Sequence, residues 1–155
     1  MSRRLLAGPR IHAALLTTLI AVVAGCGGES TAPSANVTGQ WSYEASNVSG
    51  GGVSCDIAGT TLTLTQSGST FSGTASGGGT VSCSGGGSTF SQTLGSDVVA
   101  NGQISGNSVQ FDIGTADFHN SGTLSGNSIS GLVTLRLSNG TTTSVLTGNF
   151  TSVRQ

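Results

Sequence analysis

The chain of 155 residues contains no lysine, one tryptophan and one tyrosine, and only 7% of it is charged. Soluble domains ordinarily carry roughly a quarter charged residues. So little charge excludes disorder driven by repulsion within the chain. It also excludes a nucleic-acid footprint, which needs clustered cations to displace counterions from phosphate. Also lacking are a G-x-S-x-G nucleophile elbow, a phosphate-cradling glycine loop between strand and helix, and a metalloprotease His pair. The expectation is a protein that is not an enzyme, with no cofactor and no metal. From Val37 onward no segment has helical periodicity.

What is there begins with a leader. Arg3, Arg4 and Arg10 form a positive segment, and Ile11 to Ala24 is an apolar run of signal-peptide length, too short to span a bilayer comfortably. It ends in Val23-Ala24-Gly25-Cys26, which resembles the lipobox of bacterial lipoproteins: a branched aliphatic residue, two small ones and the lipid-bearing cysteine. The resemblance covers residues 1–26 and implies that 1–25 are a signal peptide cut before Cys26, whose sulfur carries diacylglycerol and whose new amine is acylated, with palmitate the expected type of chain. The alternative is an ordinary secretory signal cut after Ala24 or Gly25, with Cys26 incidental. Two or more acyl chains hold a protein firmly on a membrane, because each buried methylene contributes about 0.8 kcal/mol. Gly27 stands where many such lipoproteins have the Asp that retains them at the inner membrane. The expected location is therefore the cell envelope, at the outer membrane if the host has two.

Residues 26–36 read as a flexible tether, GGESTAPSAN after the cysteine. Loss of the leader leaves Arg136 and Arg154 against six carboxylates, a net charge of −4. The domain proper is 37–155. In it apolar and polar residues alternate with period two: Leu62 and Leu64 in TTLTLT, Val109, Phe111 and Ile113, then Ile129, Val133 and Leu135. Asn139-Gly140, Gly106-Asn107, Gly126-Asn127 and Ser67-Gly68 mark tight turns. Strands are expected at about 37–46, 60–66, 69–76, 97–105, 107–113, 116–125, 128–137 and 142–153. The fold class is all-β: a small antiparallel up-and-down barrel of eight strands, or ten if 77–96 contributes a hairpin to the wall rather than a glycine-rich flap at the rim. GQISGNSVQF at 102–111 echoes GTLSGNSISG at 122–131. Such an echo fits recurrent hairpins better than a repetitive stalk, whose period would be sustained over three or more units.

Gly39-Gln40-Trp41 near the start and Arg154 near the end resemble the Gly-x-Trp and terminal Arg of calycin-type barrels, the group that holds lipocalins and avidin-like proteins. The resemblance implies that Arg154 packs across the Trp41 indole and plugs one end of the barrel. Read from the residues alone, an exposed Arg and an ordinary core Trp remain the alternative.

With Cys26 set aside for lipid, Cys55 and Cys83 form an even pair in an oxidising compartment, each within Val-Ser-Cys. A disulfide is expected, joining loops at 47–59 and 77–96 at the mouth opposite the plug. His119, the one histidine after the leader, shares a strand face with Asp117, and Asp112 and Asp117 flank a turn; all three read as solvated surface groups. Trp41, Tyr43, Phe71, Phe111 and Phe118 are expected to point inward. An eight-stranded interior is either filled by side chains or holds one small molecule. The expected function is thus a passive envelope or surface component anchored to the membrane through Cys26. The alternatives are a barrel that binds a small apolar ligand and a transmembrane barrel, in which the apolar face would point outward.

Overall fold

A computed structural model describes residues 35–114, 118–138 and 143–155. Cys26, the leader, the tether up to Ser34, Asp117 and the Asn139-Gly140 turn lie outside the described residues. Ten antiparallel strands follow one another: β1 Gly39–Gly50, β2 Val53–Ser67, β3 Thr70–Ala75, β4 Thr80–Gly85, β5 Ser88–Thr93, β6 Asp97–Ser105, β7 Ser108–Ile113, β8 Phe118–Ser125, β9 Ser128–Ser138 and β10 Thr143–Arg154. Eight form the barrel wall in the order β1-β10-β9-β8-β7-β6-β3-β2, and β1 closes the ring by pairing with β2 as well as with β10. At the seam Trp41 lies opposite Arg154 on one side and opposite Leu62 on the other. Closure leaves no free edge in the wall.

The hairpin β4–β5 stands apart from that ring. β2 is long enough to pair twice along one side: Leu62 to Ser67 with β3, and Val53 to Ala58 with β4. β3 pairs directly with β6, so the intervening hairpin extends the sheet beyond the wall, with β5 at its outer margin. This is the flap arrangement rather than a ten-stranded ring. Cys55 sits directly opposite Cys83 in the β2–β4 ladder, and the two are joined by a disulfide with Cα atoms 4.0 Å apart.

The segment 47–59, expected to be a loop, is strand almost throughout. Gly51 and Gly52 both have positive φ, 60° and 80°, and form the two-residue turn between β1 and β2. Strict alternation missed these strands because bulges shift its phase. Along β1 the buried residues are Trp41, Tyr43 and Ala45, then Val48, with Asn47 left-handed at φ 54° between them. Along β2 they are Cys55 and Ile57, then Thr60, Leu62 and Leu64, with Gly59 at φ 78° at the break. One extra residue per bulge moves the following side chains to the other face.

The interior is a chain of aromatic rings. Tyr43 stacks on Phe150 at 5.8 Å, Phe150 meets Phe111 edge-on at 5.7 Å, and Phe111 lies 5.9 Å from Phe71. Phe150, not among the rings expected inside, is 1% exposed. Gly122 and Gly131 face each other across β8 and β9 and make room for it. A Cβ on Gly122 would come within 3.0 Å of the Phe150 ring, and one on Gly131 within 2.4 Å of the Gly122 backbone. Glycine here lets two strands bend round a large ring.

The hairpin contributes little to this core, since β5 is exposed along its whole length and β4 buries only Cys83 fully. Closing the 28-residue separation between Cys55 and Cys83 constrains the unfolded chain by about 3–4 kcal/mol in the loop-entropy account. Reduction should therefore loosen the hairpin first. Hydrogen exchange of the reduced protein should show amides of residues 80–93 losing protection while those of β7 to β10 keep it; simultaneous loss in both would show that the hairpin and barrel unfold as one unit.

Candidate functional site

The end of the barrel where β1 begins is sealed by side chains from both termini of the domain. The Arg154 guanidinium lies 4.4 Å from the centre of the Trp41 ring. It also donates to the carbonyls of Asn36 and Thr38. Trp41 Nε1 donates to the Val37 carbonyl at 2.8 Å, while Gln66 accepts from Val37 N and donates to the Ala35 carbonyl. Residues 35–38 are thereby strapped across the end of the barrel. Gly39 has φ 135°, and a Cβ there would sit 3.0 Å from an Arg154 nitrogen. Gly39, Trp41 and Arg154 thus form one unit: the glycine gives the backbone its turn and its clearance, and the indole carries the cation.

At the opposite end the interior narrows to a cavity of about 60 Å³ lined by apolar side chains including Ile57, Ala75, Leu94, Ile113 and Phe118. Tyr43 forms its floor. The Tyr43 hydroxyl donates to Asn120 Oδ1 at 2.8 Å, and Asn120 Nδ2 donates to the Phe118 carbonyl at 3.3 Å. Burial pushes the Tyr43 hydroxyl far above its ordinary range. Thr60 also lines the cavity, and its buried Oγ1 has no hydrogen-bond partner; Ser152 Oγ, elsewhere in the interior, is the other such atom among the described residues.

A third group lies on the outer wall. Asp112, expected to be a solvated loop charge, is in β7 and only 7% exposed. Its carboxylate accepts from Asn101 Nδ2 at 2.8 Å and lies 2.7 Å from His119 Nδ1, on the neighbouring strand. His119, expected as a solvated group on the same strand face as Asp117, has a side chain 54% exposed and meets the Asp112 carboxylate across the β7–β8 ladder; Asp117 lies outside the described residues. Asn101 reaches Asp112 because it is left-handed, φ 55°, at a bulge between Ala100 and Gln103. Burial alone would raise the Asp112 carboxyl, but the hydrogen bonds from Asn101 and His119, together with the His119 charge, outweigh it and hold the group below the usual carboxylate range. The arrangement can orient an imidazole, as a carboxylate does behind a catalytic or metal-bound histidine. Among the described residues there is no group of three or more metal-ligating side chains.

Of the residues singled out in the sequence, the fold joins Cys55 to Cys83 and Trp41 to Arg154; Cys26 lies outside the described residues. Asn101, Asn120 and Thr60 were missed. Asn120 stood in plain view, occupying the inward phase of β8 between Phe118 and Leu124, and a polar residue in that phase implies a buried partner. Comparison with family models, with curated proteins and with solved structures found no match.

Two outcomes test this geometry. Arg154→Ala should lower unfolding stability by roughly 2–3 kcal/mol, since it removes both the cation over the indole and charged hydrogen bonds. Arg154→Lys should restore only part, because an ammonium cannot lie flat on the ring and serve two carbonyls together. At Asp112 the depressed value means stabilisation that is present above about pH 4, where the unfolded carboxyl is ionised, and lost as pH falls through the lower folded-state value. The urea midpoint of the wild type should exceed that of Asp112→Asn at neutral pH, with the gap closing in acid. A gap that persists unchanged in acid would show that the carboxylate charge is not the source.

Proposed function

We propose that the chain is an exported lipoprotein, held to the cell envelope through a lipidated Cys26, whose barrel is a filled, non-catalytic surface module. The observation that carries the second half of this reading is the interior. Tyr43, Phe71, Phe111 and Phe150 occupy it as a contiguous set of rings. The cavity of about 60 Å³ at the mouth compares with roughly 300–1,000 Å³ for pockets that enclose small molecules. The anchor half rests on the leader and on Val23-Ala24-Gly25-Cys26. The described segment 35–38 leaves the barrel at the plugged end, so a tether from Cys26 would turn the mouth and the β4–β5 hairpin away from the lipid.

The rings and most aliphatic side chains fill the inside, and the outer rows of β1 to β3 carry Gln40, Ser42, Thr61, Thr63, Thr65, Ser72 and Thr74, while Val98, Leu132, Leu137, Val145 and Val153 stand exposed among polar neighbours on β6, β9 and β10. Such a wall suits water rather than hydrocarbon, where lipid-facing positions are apolar. A second reading, capture of a small, mostly apolar group at the mouth, is favoured by one feature: the unpartnered Thr60 hydroxyl in a cavity lined mainly by apolar side chains, with Asp97 the one charged group among its lining residues. There the hydroxyl would hydrogen-bond a polar end while the walls take a few carbons, with the rest of the ligand outside.

Replacing Cys26 with Ser tests the anchor. Acyl-chain labelling should disappear and the uncleaved precursor accumulate, whereas normal maturation of the variant would favour an ordinary signal peptide. Native mass spectrometry of the protein taken from its own host tests the barrel. A ligand-free barrel supports the filled module, and a stoichiometric small molecule, lost on Thr60→Val, would establish the mouth as a binding site instead.

A further inference from the structure

The outer margin of the β4–β5 hairpin has no strand beside it among the described residues. β4 and β5 pair without a register shift from Gly85↔Ser88 to Thr80↔Thr93, about a two-residue turn at Gly86-Gly87. In such a ladder the residues flanking the turn exchange both backbone hydrogen bonds, and bonded and non-bonded pairs then alternate. Ser88, Phe90 and Gln92 therefore point their N–H and C=O groups at β4. Thr89, Ser91 and Thr93 point theirs outward.

Natural sheets blunt such an edge with charge, proline or a bulge. β5 has none of these. From Ile57 to Ser96 the chain contains no Asp, Glu, Lys, Arg or His. Every residue of β5 is exposed, and Phe90 carries a ring 56% exposed on a strand with no apolar cover.

We propose that β5 is a homotypic pairing edge, where a second copy of this chain adds its own β5 antiparallel about a two-fold axis at Ser91. The register follows from the outward backbone groups. Setting Ser91 opposite Ser91 places Thr89 opposite Thr93 and Thr93 opposite Thr89, so all three residues find bonded partners. The same register puts β-branched threonines side by side, a favourable cross-strand pair. On the other face each Phe90 lies opposite the second copy's Gln92 and diagonal to its Phe90, within reach for an aromatic ring. An isologous contact brings every group against its own kind, so a charged edge would repel itself; this edge carries no charge to repel. A partner of strong charge, by the same reasoning, would find nothing complementary. The pairing belongs to the barrel domain and does not rest on the lipid anchor, although confinement to a membrane would raise the local concentration and favour it.

The test uses the full chain. In the proposed register the two Ser91 Cα atoms are about 5.5 Å apart, within disulfide range. Ser91→Cys should give a covalent dimer linked through position 91 on peptide mapping, with Cys55–Cys83 intact. Thr151→Cys, at an exposed position on β10, should remain single-chain. The unsubstituted protein, extracted in mild detergent, should show twice the single-chain mass by light scattering, and Ser91→Pro, which removes an outward N–H, should return it to the single-chain mass. A monomeric unsubstituted protein would overturn the proposal. So would an Ser91→Cys protein that keeps its native disulfide without dimerising, or equal crosslinking at position 151.

Discussion

Everything in this molecule depends on one strand serving two neighbours. β1 pairs with the last strand on one side and with the second on the other, and that double engagement turns a meander into a closed ring. Closure is a constraint of length and phase together. β1 must be long enough to meet both partners, and its inward side chains must stay inward although the two partners approach at different registers. The bulge at Asn47 reconciles these demands by adding a residue where the register of β1 shifts against both β10 and β2. The Trp41–Arg154 contact then locks the seam where its strands begin and end.

Closure decides what the interior can be. A narrow eight-stranded ring lined by Tyr43, Phe71, Phe111 and Phe150 has its volume taken up by rings in contact. The Tyr43–Asn120 hydrogen bond is the polar element at the centre of this packing. Buried and paired, it specifies one arrangement of the rings, since any slip of β8 against β1 would leave both groups unpaired in an apolar space. The features a partner could reach are therefore outside or at the rim, and include the small mouth cavity, the oriented His119, the hairpin edge and the exposed apolar side chains of β9 and β10.

The sequence displayed most of this fold and concealed specific parts of it. Alternation marks β7 and β9 plainly, so those strands could be read directly; in β10 the outward Val145 and Val153 and the inward Ser152 blur it, and Phe150 was not counted among the inward rings. Where a bulge intervenes, at Asn47, Gly59 and Asn101, period-two logic fails within one residue, and the stretch between β1 and β2 looked like a loop. The disulfide was legible from the even cysteine pair, but its setting, directly across two strands rather than between loops, was not. Asp112 shows a deeper limit. Its partners Asn101 and His119 come from β6 and β8, the strands on either side of β7, and contacts set by ladder register rather than by spacing along the chain are invisible until the registers are known. The mouth cavity is of the same kind, assembled from six separate segments.

The claim on which the rest stands, a closed barrel with a filled interior, has a single phenol reporting on it, because Tyr43 is the only tyrosine in the chain. Its hydroxyl is buried, and burial disfavours the phenolate. A folded-state value raised above that of the unfolded chain means stabilisation that is complete below about pH 10 and lost as pH rises beyond it. Alkaline titration followed by phenolate absorbance and by circular dichroism together measures this directly. The two signals should change in one coincident transition, with Tyr43 ionising only as the barrel opens. Ionisation near pH 10 while the β-sheet spectrum is still intact would mean that water reaches the centre, and the filled barrel would be wrong.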